Sequence, residues 1–597
     1  MRSRFFLLLL PLAAPVCLAQ TVPPPQYETV VVTGTFEPLA LEEIDRTVTV
    51  LQARERELLL NSIGDLLELD ASLDLQQRAP DGIQGDLTIR GSNFGQTLVL
   101  LNGERLNDSQ SGHHDMDIPI PLAAIARVEV LSGSGSTMYG SDAVAGAINI
   151  ITAPPEDAEI RLRTAFGNFG TNQQSVSLAG SLGGISEQLV AARDFSDGFM
   201  PDRDYRNLQF SSTTHFATRL GPGDVTLGYM DHPFGANQFY GPYNSWEDTK
   251  TWLAAVRQEL GKKTTASFAF RRHSDLYVLL RNDPDYYANH HADESWQAAL
   301  RRSEPVARTI TVNYGVEGLS ESIVSNNLGI HQRARAAAYG SIDFRTLRRF
   351  SLSVAAREEV YRNFSGELCP TIAGGYWLSS KWKLRATASR AFRVPSYTDL
   401  YYNDPANQGN PNLLPERAWT YETGAEWNPA PRLRVNMGVF MRRERDDIDY
   451  YRSDPNAIWV ALNIDNLNFS GVEGSVRWML SHSQTIDFNY TGLRATQDTV
   501  PLGYTKYTFQ YPKQTGIAAW QASLPKGFLF RVRLGVRDPF NAAPYALLDA
   551  YAAFSHGRVR PFLQLTNIAG TSYQEIQGVQ MPGLTVLGGV EILAYGH

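Results

Sequence analysis

Cysteine is nearly missing from this chain: its 597 residues carry two, Cys17 and Cys369. Cys17 falls in an N-terminal segment that reads as a leader, so the remaining chain holds one thiol and cannot close an intrachain disulfide. An oxidising compartment is permitted, but no covalent staple contributes there. A cationic excess is missing too. The formal net charge of -8 excludes the electrostatic footprint of a nucleic-acid binder. Long apolar runs are also missing: after the leader, nothing approaches the roughly 20 residues that a spanning helix needs. By default, a chain too long for one conventional core would be several soluble domains.

Residues 1–19 fit a secretory signal peptide. Arg2 and Arg4 make a basic start, Phe5 to Ala14 an apolar stretch, and Cys17-Leu18-Ala19 before Gln20 a small-residue cleavage site. Residues 20–36 form a proline-rich leader that contains Glu28-Thr29-Val30-Val31-Val32-Thr33. Its β-branched run is stiff and inclined to be extended, yet chain ends are poorly ordered unless tied down. Two readings stay open: an edge strand of the first domain, or a strand that waits for a partner's sheet.

Beyond about Ala158 the chain alternates with period two. Phe528, Phe530, Val532, Leu534 and Val536 share one face, and Arg531, Arg533, Gly535 and Arg537 the other. Leu433 to Met441, Ile310 to Glu317 and Ile486 to Tyr490 alternate in the same way. Such segments are strands with two unlike faces. Several run to nine or ten residues, which matches the ~9–11 of a tilted membrane strand better than the shorter strands of a soluble sandwich. Short turns such as Asn428 to Pro431, Ser481 to Ser483 and Leu524 to Gly527 contrast with long polar stretches at Asp231–Lys250, His273–Trp296 and Pro395–Arg417. That asymmetry belongs to an outer-membrane barrel. At about 20 residues per strand and connection, residues 156–597 predict roughly 22 antiparallel strands. A lumen that wide needs a plug.

Residues 37–155 read as that plug, a compact α+β domain. Ser62 to Leu69 predicts a short helix with Asn61 or Ser62 as N-cap. Strands are expected at Leu87–Arg90, Thr97–Leu101, Arg127–Leu131 and Ala147–Ile151. Here "LTIRGSNFGQTLVLLNGERLN", "IARVEVLSGSGSTMYGSDAVAGAINIIT" and "ETVVVTG" resemble the plug-domain and Ton-box signatures of the TonB-dependent outer-membrane transporters. "ASRAFRVPSYTDLY", "GNPNLLPERAWTYETGAEW" and "LQLTNIAGTSYQE" are similar to that family's barrel motifs, so the resemblance covers nearly the whole mature chain. Three positions depart from the pattern: Ser134 stands where the family usually has proline, Leu584 where it has arginine, and Gly596-His597 follow Tyr595 at an end that is commonly aromatic. These departures bear on assembly efficiency.

The resemblance implies active import of a scarce, bulky nutrient, energised by TonB with ExbB/ExbD of the inner membrane. TonB would contact Glu28, Thr29, Val30, Val31, Val32 and Thr33 by β-augmentation. It further implies a monomeric barrel among outer-membrane lipids and lipopolysaccharide. The compact size resembles the cobalamin-receptor branch, with ferric-siderophore receptors as the alternative. An outer-membrane enzyme would need clustered Ser, His and Asp, and no nucleophile elbow or H-E-x-x-H is present; a plug argues against a passive porin or adhesin. Gly135 to Gly140 has phosphate-loop spacing, but Ser141-Asp142 replaces the required Lys-Ser/Thr.

Arg90, Arg127 and Glu129 lie on predicted plug strands and are expected to hold plug to barrel, against the alternative of a solvated strand face. "QSGHHDMDIP" places His113, His114, Asp115 and Asp117 between two strands. Imidazole and carboxylate can bind a metal, but adjacent loop residues rarely converge, so no dedicated metal is assigned and a ligand-facing loop is the favoured reading. Gln84, in the stretch Gln77–Asp86, is expected to face ligand as well. The aromatics Phe234, Phe239, Tyr240, Tyr243 and Trp246 offer stacking surfaces for a large planar ligand. Asp194, Asp197, Asp202 and Asp204 would be hard oxygen ligands if calcium were bound, with an acidic surface loop as the plainer reading.

Overall fold

The computed structural model describes residues 30–153, 157–345, 349–362, 364–497 and 503–595. The signal peptide, Glu28, Thr29, Gly596 and His597 lie outside the described residues.

Between Glu159 and Tyr595, twenty-two antiparallel strands close into a barrel, and the last, Thr585–Tyr595, pairs with the first, Glu159–Gly167. The alternation read from the sequence is the reason. Along Phe528–Pro539, Arg531, Arg533 and Gly535 point into the lumen and are buried, whereas Val532, Leu534 and Val536 are exposed on the outer face. A closed sheet of this kind satisfies every ladder hydrogen bond without an edge, which is what lipid demands.

The strands outrun the membrane. Asn244–Leu260 has 17 residues and Ala288–Ala307 has 20, against the ~9–11 needed to cross. Two stretches expected to be long loops are therefore largely strand. In Asp231–Lys250 only residues 238–243 turn, and in His273–Trp296 only residues 279–287 lie outside strands. A polar luminal face gave them the composition of loops. Pro395–Arg417 is irregular as expected and contains a helix at Tyr397–Tyr401.

The lumen holds the plug. Its strands are β1 (Val30–Val31), β2 (Leu39–Ala40), β3 (Thr47–Gln52), β4 (Leu73–Gln77), β5 (Gly85–Ile89), β6 (Thr97–Leu101), β7 (Glu104–Arg105), β8 (Ile125–Ser132) and β9 (Gly146–Thr152). β3, β8, β9, β6 and β7 form one five-stranded sheet in that order, with β6 and β9 parallel; β4 and β5 pair as a separate hairpin. Helix α1 (Ile63–Leu67) starts at Ser62, whose hydroxyl accepts from the Asp65 N–H while Asp65 returns the bond, a capping box. Leu66, Leu75, Ile89, Val99, Val128, Val130 and Ile148 make the buried core between helix and sheets.

The barrel wall and the plug meet through charge. Arg533 reaches Glu68 at 2.8 Å, Arg537 reaches Asp74 at 2.9 Å, and Lys383 reaches Asp45 at 3.1 Å. Ser134, at the position where proline was expected, donates its hydroxyl to the Arg390 carbonyl across this boundary (3.3 Å).

The two-faced strands predict a sharp asymmetry. Val532→Arg, on the outer face, is expected to cost about 2–4 kcal/mol at membrane depth. Gly535→Arg points inward, where an added Cβ meets only the Arg533 guanidinium, with Nη2 at 3.6 Å and Cζ at 3.9 Å, and is expected to cost less. Urea unfolding of the purified barrel in lipid vesicles measures both; equal losses would contradict this orientation.

Candidate functional site

A cavity of about 480 Å³ opens at the mouth where the plug hairpin β4–β5 meets two barrel connections. Gln76, Arg78 and Asp86 rise from the hairpin, Phe239 and Tyr240 come from the 238–243 turn, and Lys506 and Tyr507 from the connection before Pro512–Leu524. An adjoining cavity, also about 480 Å³, shares Gln76, Lys506, Gln510 and Gln577 and adds Arg452, Trp459 and Tyr504.

Its geometry is held from behind. His113 Nδ1 lies 2.7 Å from Asp86 Oδ1, and Arg78 pairs with the other Asp86 oxygen at 3.0 Å. Burial alone would raise the Asp86 carboxyl, but Arg78 and His113 hold it down at about 2. Burial lowers the His113 imidazole in spite of Asp86, so at neutral pH the ring is uncharged and donates through Nδ1. That ring stacks on Phe94 with centroids 4.2 Å apart. The Tyr240 hydroxyl accepts from Gln84 and donates to Glu247 at 3.1 Å. Lys506 is positioned because Asp449 accepts the backbone N–H groups of Lys506, Tyr507 and Thr508. Asp449 belongs to a small outer sheet formed by Asp447–Arg452, Trp459–Ile464, Asn407–Gln408 and Tyr504–Thr505. Burial pushes the Lys506 ammonium down to about 8, with Asp449 and Asp404 opposing it.

The structure sorts the expected ligand residues into three groups. His113, Phe239 and Tyr240 line the cavity, and Gln84 stands behind Tyr240. His114, Asp115 and Asp117 do not line it. Asp115 accepts from Asn107 Nδ2 and the Asp108 N–H, both at 2.8 Å, and braces its own loop, while His114 and Asp117 turn toward the barrel wall. Tyr243 is exposed beyond the cavity rim. Trp246 sits between Ser245 and Glu247, whose buried side chains face the lumen, so it faces outward instead of toward ligand. Phe234 packs with Phe239, Tyr205 and Ile83 beneath the turn. Asp86, the end of the stretch Gln77–Asp86 expected to face ligand, lines the cavity, whereas Lys506, Tyr507 and Gln577 were missed. The tyrosine-rich "YTKYTFQY" around Lys506 was the available signal.

Of the three residues expected to tie plug to barrel, Arg90 does so. It pairs with Glu422 and with Glu473 (2.6 Å) of the barrel. Arg127 and Glu129 are different. They pair with each other at 2.8 Å, and Glu129 Oε2 accepts the backbone N–H groups of Val32 (2.9 Å) and Thr33 (2.8 Å). Asn149 donates to the Thr33 hydroxyl at 3.0 Å. β1 pairs with β2 and Val31 is fully buried. In this state the leader strand is docked, and Glu129 is its latch. The four aspartates considered for calcium do not converge. Asp202 and Asp204 pair with Arg281, whereas Asp194 accepts from Gln173 and Tyr205.

A plugged barrel with a latched strand beneath the plug and a solvated cavity above it is a gated transporter. Residues 40–147 match the family model "TonB-dependent Receptor Plug Domain", and residues 153–568 match "TonB dependent receptor-like, beta-barrel". The chain therefore belongs to the TonB-dependent receptor family: it is a receptor and transporter of the Gram-negative outer membrane, coupled to TonB, and not an enzyme. It is 25% identical over 429 residues to the vitamin B12 transporter BtuB of Photobacterium profundum, covering 68% of each chain. It is 24% identical over 480 residues to BtuB of Vibrio vulnificus strain YJ016, covering 75% of each. Its fold matches the siderophore receptor PirA of Acinetobacter baumannii with a TM-score of 0.75 at 14% identity, over 91% of this chain and 98% of that one. The FrpB iron transporter of Neisseria meningitidis matches with a TM-score of 0.76 at 15% identity, over 92% and 100%.

Proposed function

We propose that this receptor imports a corrinoid. The observation that carries the reading is the cavity wall. Gln76, Asn93, Gln238, Gln510 and Gln577 present primary amides, while Arg78 and Asp86 neutralise each other. A large planar macrocycle fringed with amides suits such a wall, since each amide finds a donor and an acceptor and the Tyr240, Tyr507 and Phe239 rings supply apolar contact. The similarity to vitamin B12 transporters supports the same substrate class. A ferric siderophore is the second reading, favoured by Lys506, which both cavities share, and Arg452 in the adjoining one. In either case TonB, driven by ExbB/ExbD, would take up the strand at Glu28–Thr33, and the barrel would work as a monomer among lipids and lipopolysaccharide.

Equilibrium binding of cyanocobalamin to purified, heat-modifiable receptor tests this. His113→Ala and Tyr240→Ala are each expected to weaken binding about tenfold, or about 1.4 kcal/mol. The pH profile separates the two readings. Lys506 is charged below about 8 and loses its proton above it, so an anionic ferric chelate is expected to bind progressively worse as pH rises through 8. A corrinoid is expected to bind evenly across that range. No cyanocobalamin binding at all, with a ferric siderophore bound instead, would transfer the assignment.

A further inference from the structure

Below the cavity, the plug loop carrying His114 and Asp117 meets four neighbouring barrel strands, and ionisable side chains concentrate there. Asp117 Oδ2 lies 3.6 Å from His114 Nδ1 and 3.0 Å from His273 Nε2. The three ligand atoms of this group all fall within 4.8 Å of one another. His232 Nδ1 stands 4.0 Å from the other Asp117 oxygen. His232 is 3% exposed, and neither of its ring nitrogens has a hydrogen-bond partner. A buried imidazole with two idle nitrogens, one of them aimed at a carboxylate, calls for a missing partner.

Two further observations point to a cation. The first is charge. Asp108, Asp117, Asp275, Asp293 and Glu247 gather here with Arg271 as the guanidinium paired to Asp108 and Asp293. Set against the single guanidinium, the carboxylates leave an excess of negative charge whenever the imidazoles are neutral, as metal ligation requires, and buried charge without compensation is costly. The second is the outer layer. The far nitrogen of two of the three histidines faces a carboxylate: His273 Nδ1 is 2.9 Å from Asp108, at ion-pair distance without hydrogen-bond alignment, and His114 Nε2 is 3.6 Å from Asp275. A carboxylate behind the imidazole is how metal-ligating histidines are oriented.

We propose that His114, Asp117 and His273, with His232 as fourth ligand, form a divalent transition-metal site that ties the plug loop to the barrel wall. Donors on a tetrahedral ion at 2.0–2.1 Å sit about 3.3–3.4 Å apart, between the 3.0 and 3.6 Å separations found here. Imidazole with carboxylate selects a borderline ion such as Zn²⁺ or Co²⁺ over calcium or magnesium. The site is distinct from the cavity above and does not depend on which nutrient enters it.

The test uses the metal alone. Full-length receptor, purified in detergent and stripped with chelator, is expected to bind one equivalent of Co²⁺ with the visible absorption of a low-coordinate site, and Zn²⁺ is expected to displace it. Asp117→Asn and His273→Gln are expected to weaken Co²⁺ binding at least about tenfold, while His215→Gln, outside the cluster, leaves it unchanged. Heat-modifiability confirms that each variant is folded. If either fails that check, His232→Gln decides in the same assay, since its side chain makes no hydrogen bond to lose. A folded wild type that takes up no Co²⁺, or variants that bind it as well as wild type, overturns the site.

Discussion

Arg90→Ala is expected to loosen the plug by about 3–5 kcal/mol while leaving the barrel closed, the cost of removing one partner from a buried ion pair. The guanidinium is held between Glu422 and Glu473, both largely buried, and lies over the Phe440 ring at 4.3 Å. Its removal strands two carboxylates of the barrel wall. Arg90 also has a left-handed φ of 52°, which costs a non-glycine residue of order 1–3 kcal/mol. Two companion variants separate these contributions. Arg90→Gly relieves the backbone and is expected to lose less than alanine. Arg90→Met with Glu422→Gln and Glu473→Gln removes the stranded charge and is expected to recover most of the loss. Urea titration of a plug-specific fluorophore reads all three; a triple variant no better than alanine would mean that charge is not what anchors this corner.

Val31→Pro is expected to abolish uptake while surface binding of the substrate persists. Proline removes the backbone donor that an added strand must offer to TonB. Glu129→Ala is expected to act in the opposite direction. It deletes the acceptor of the Val32 and Thr33 N–H groups, bonds worth about 1–3 kcal/mol each to a charged partner, so the leader frees itself without ligand. Arg127 is partly exposed, so its own charge is not trapped by the change. Capture of the receptor on immobilised periplasmic TonB domain is expected to fall with Val31→Pro and to rise with Glu129→Ala in the absence of substrate. Unchanged capture by both would remove this segment from the coupling path.

The sequence made the barrel legible because lipid imposes strict alternation, and a period of two over ten residues leaves few other folds. The plug strands were legible for a simpler reason: Thr97–Leu101 and the run ending at Ile151 are continuous apolar stretches bounded by glycine and polar residues. Side-chain direction was not legible. Trp246 looked like a loop aromatic until its neighbours Ser245 and Glu247 were seen to face inward. Arg127 and Glu129 had two sheet faces to choose from, and the winning one turned them to the leader. The histidine–aspartate group was beyond reach, since His114 and Asp117 meet His232 and His273 only once the strands that carry the last two are registered on either side of Asn244–Leu260 in the wall.

The docked leader also sets an order of mechanical failure. A pull on Val30 from beneath the membrane loads its attachments in series. The weakest comes first: two residue pairs between β1 and β2, with the Glu129 contacts. Tension then passes to the Asp45–Lys383 pair and to β3, whose six residues pair along β8, and beyond them to Glu68 and Asp74, which are tied to Arg533 and Arg537 of the wall. Arg90 lies further along the chain, after α1 and the β4–β5 hairpin, moored to the wall through Glu422 and Glu473. Modest traction is thus expected to draw out the part of the plug that precedes Arg90 and stop at that mooring, opening a passage along one side of the lumen while the rest of the stopper keeps its seat.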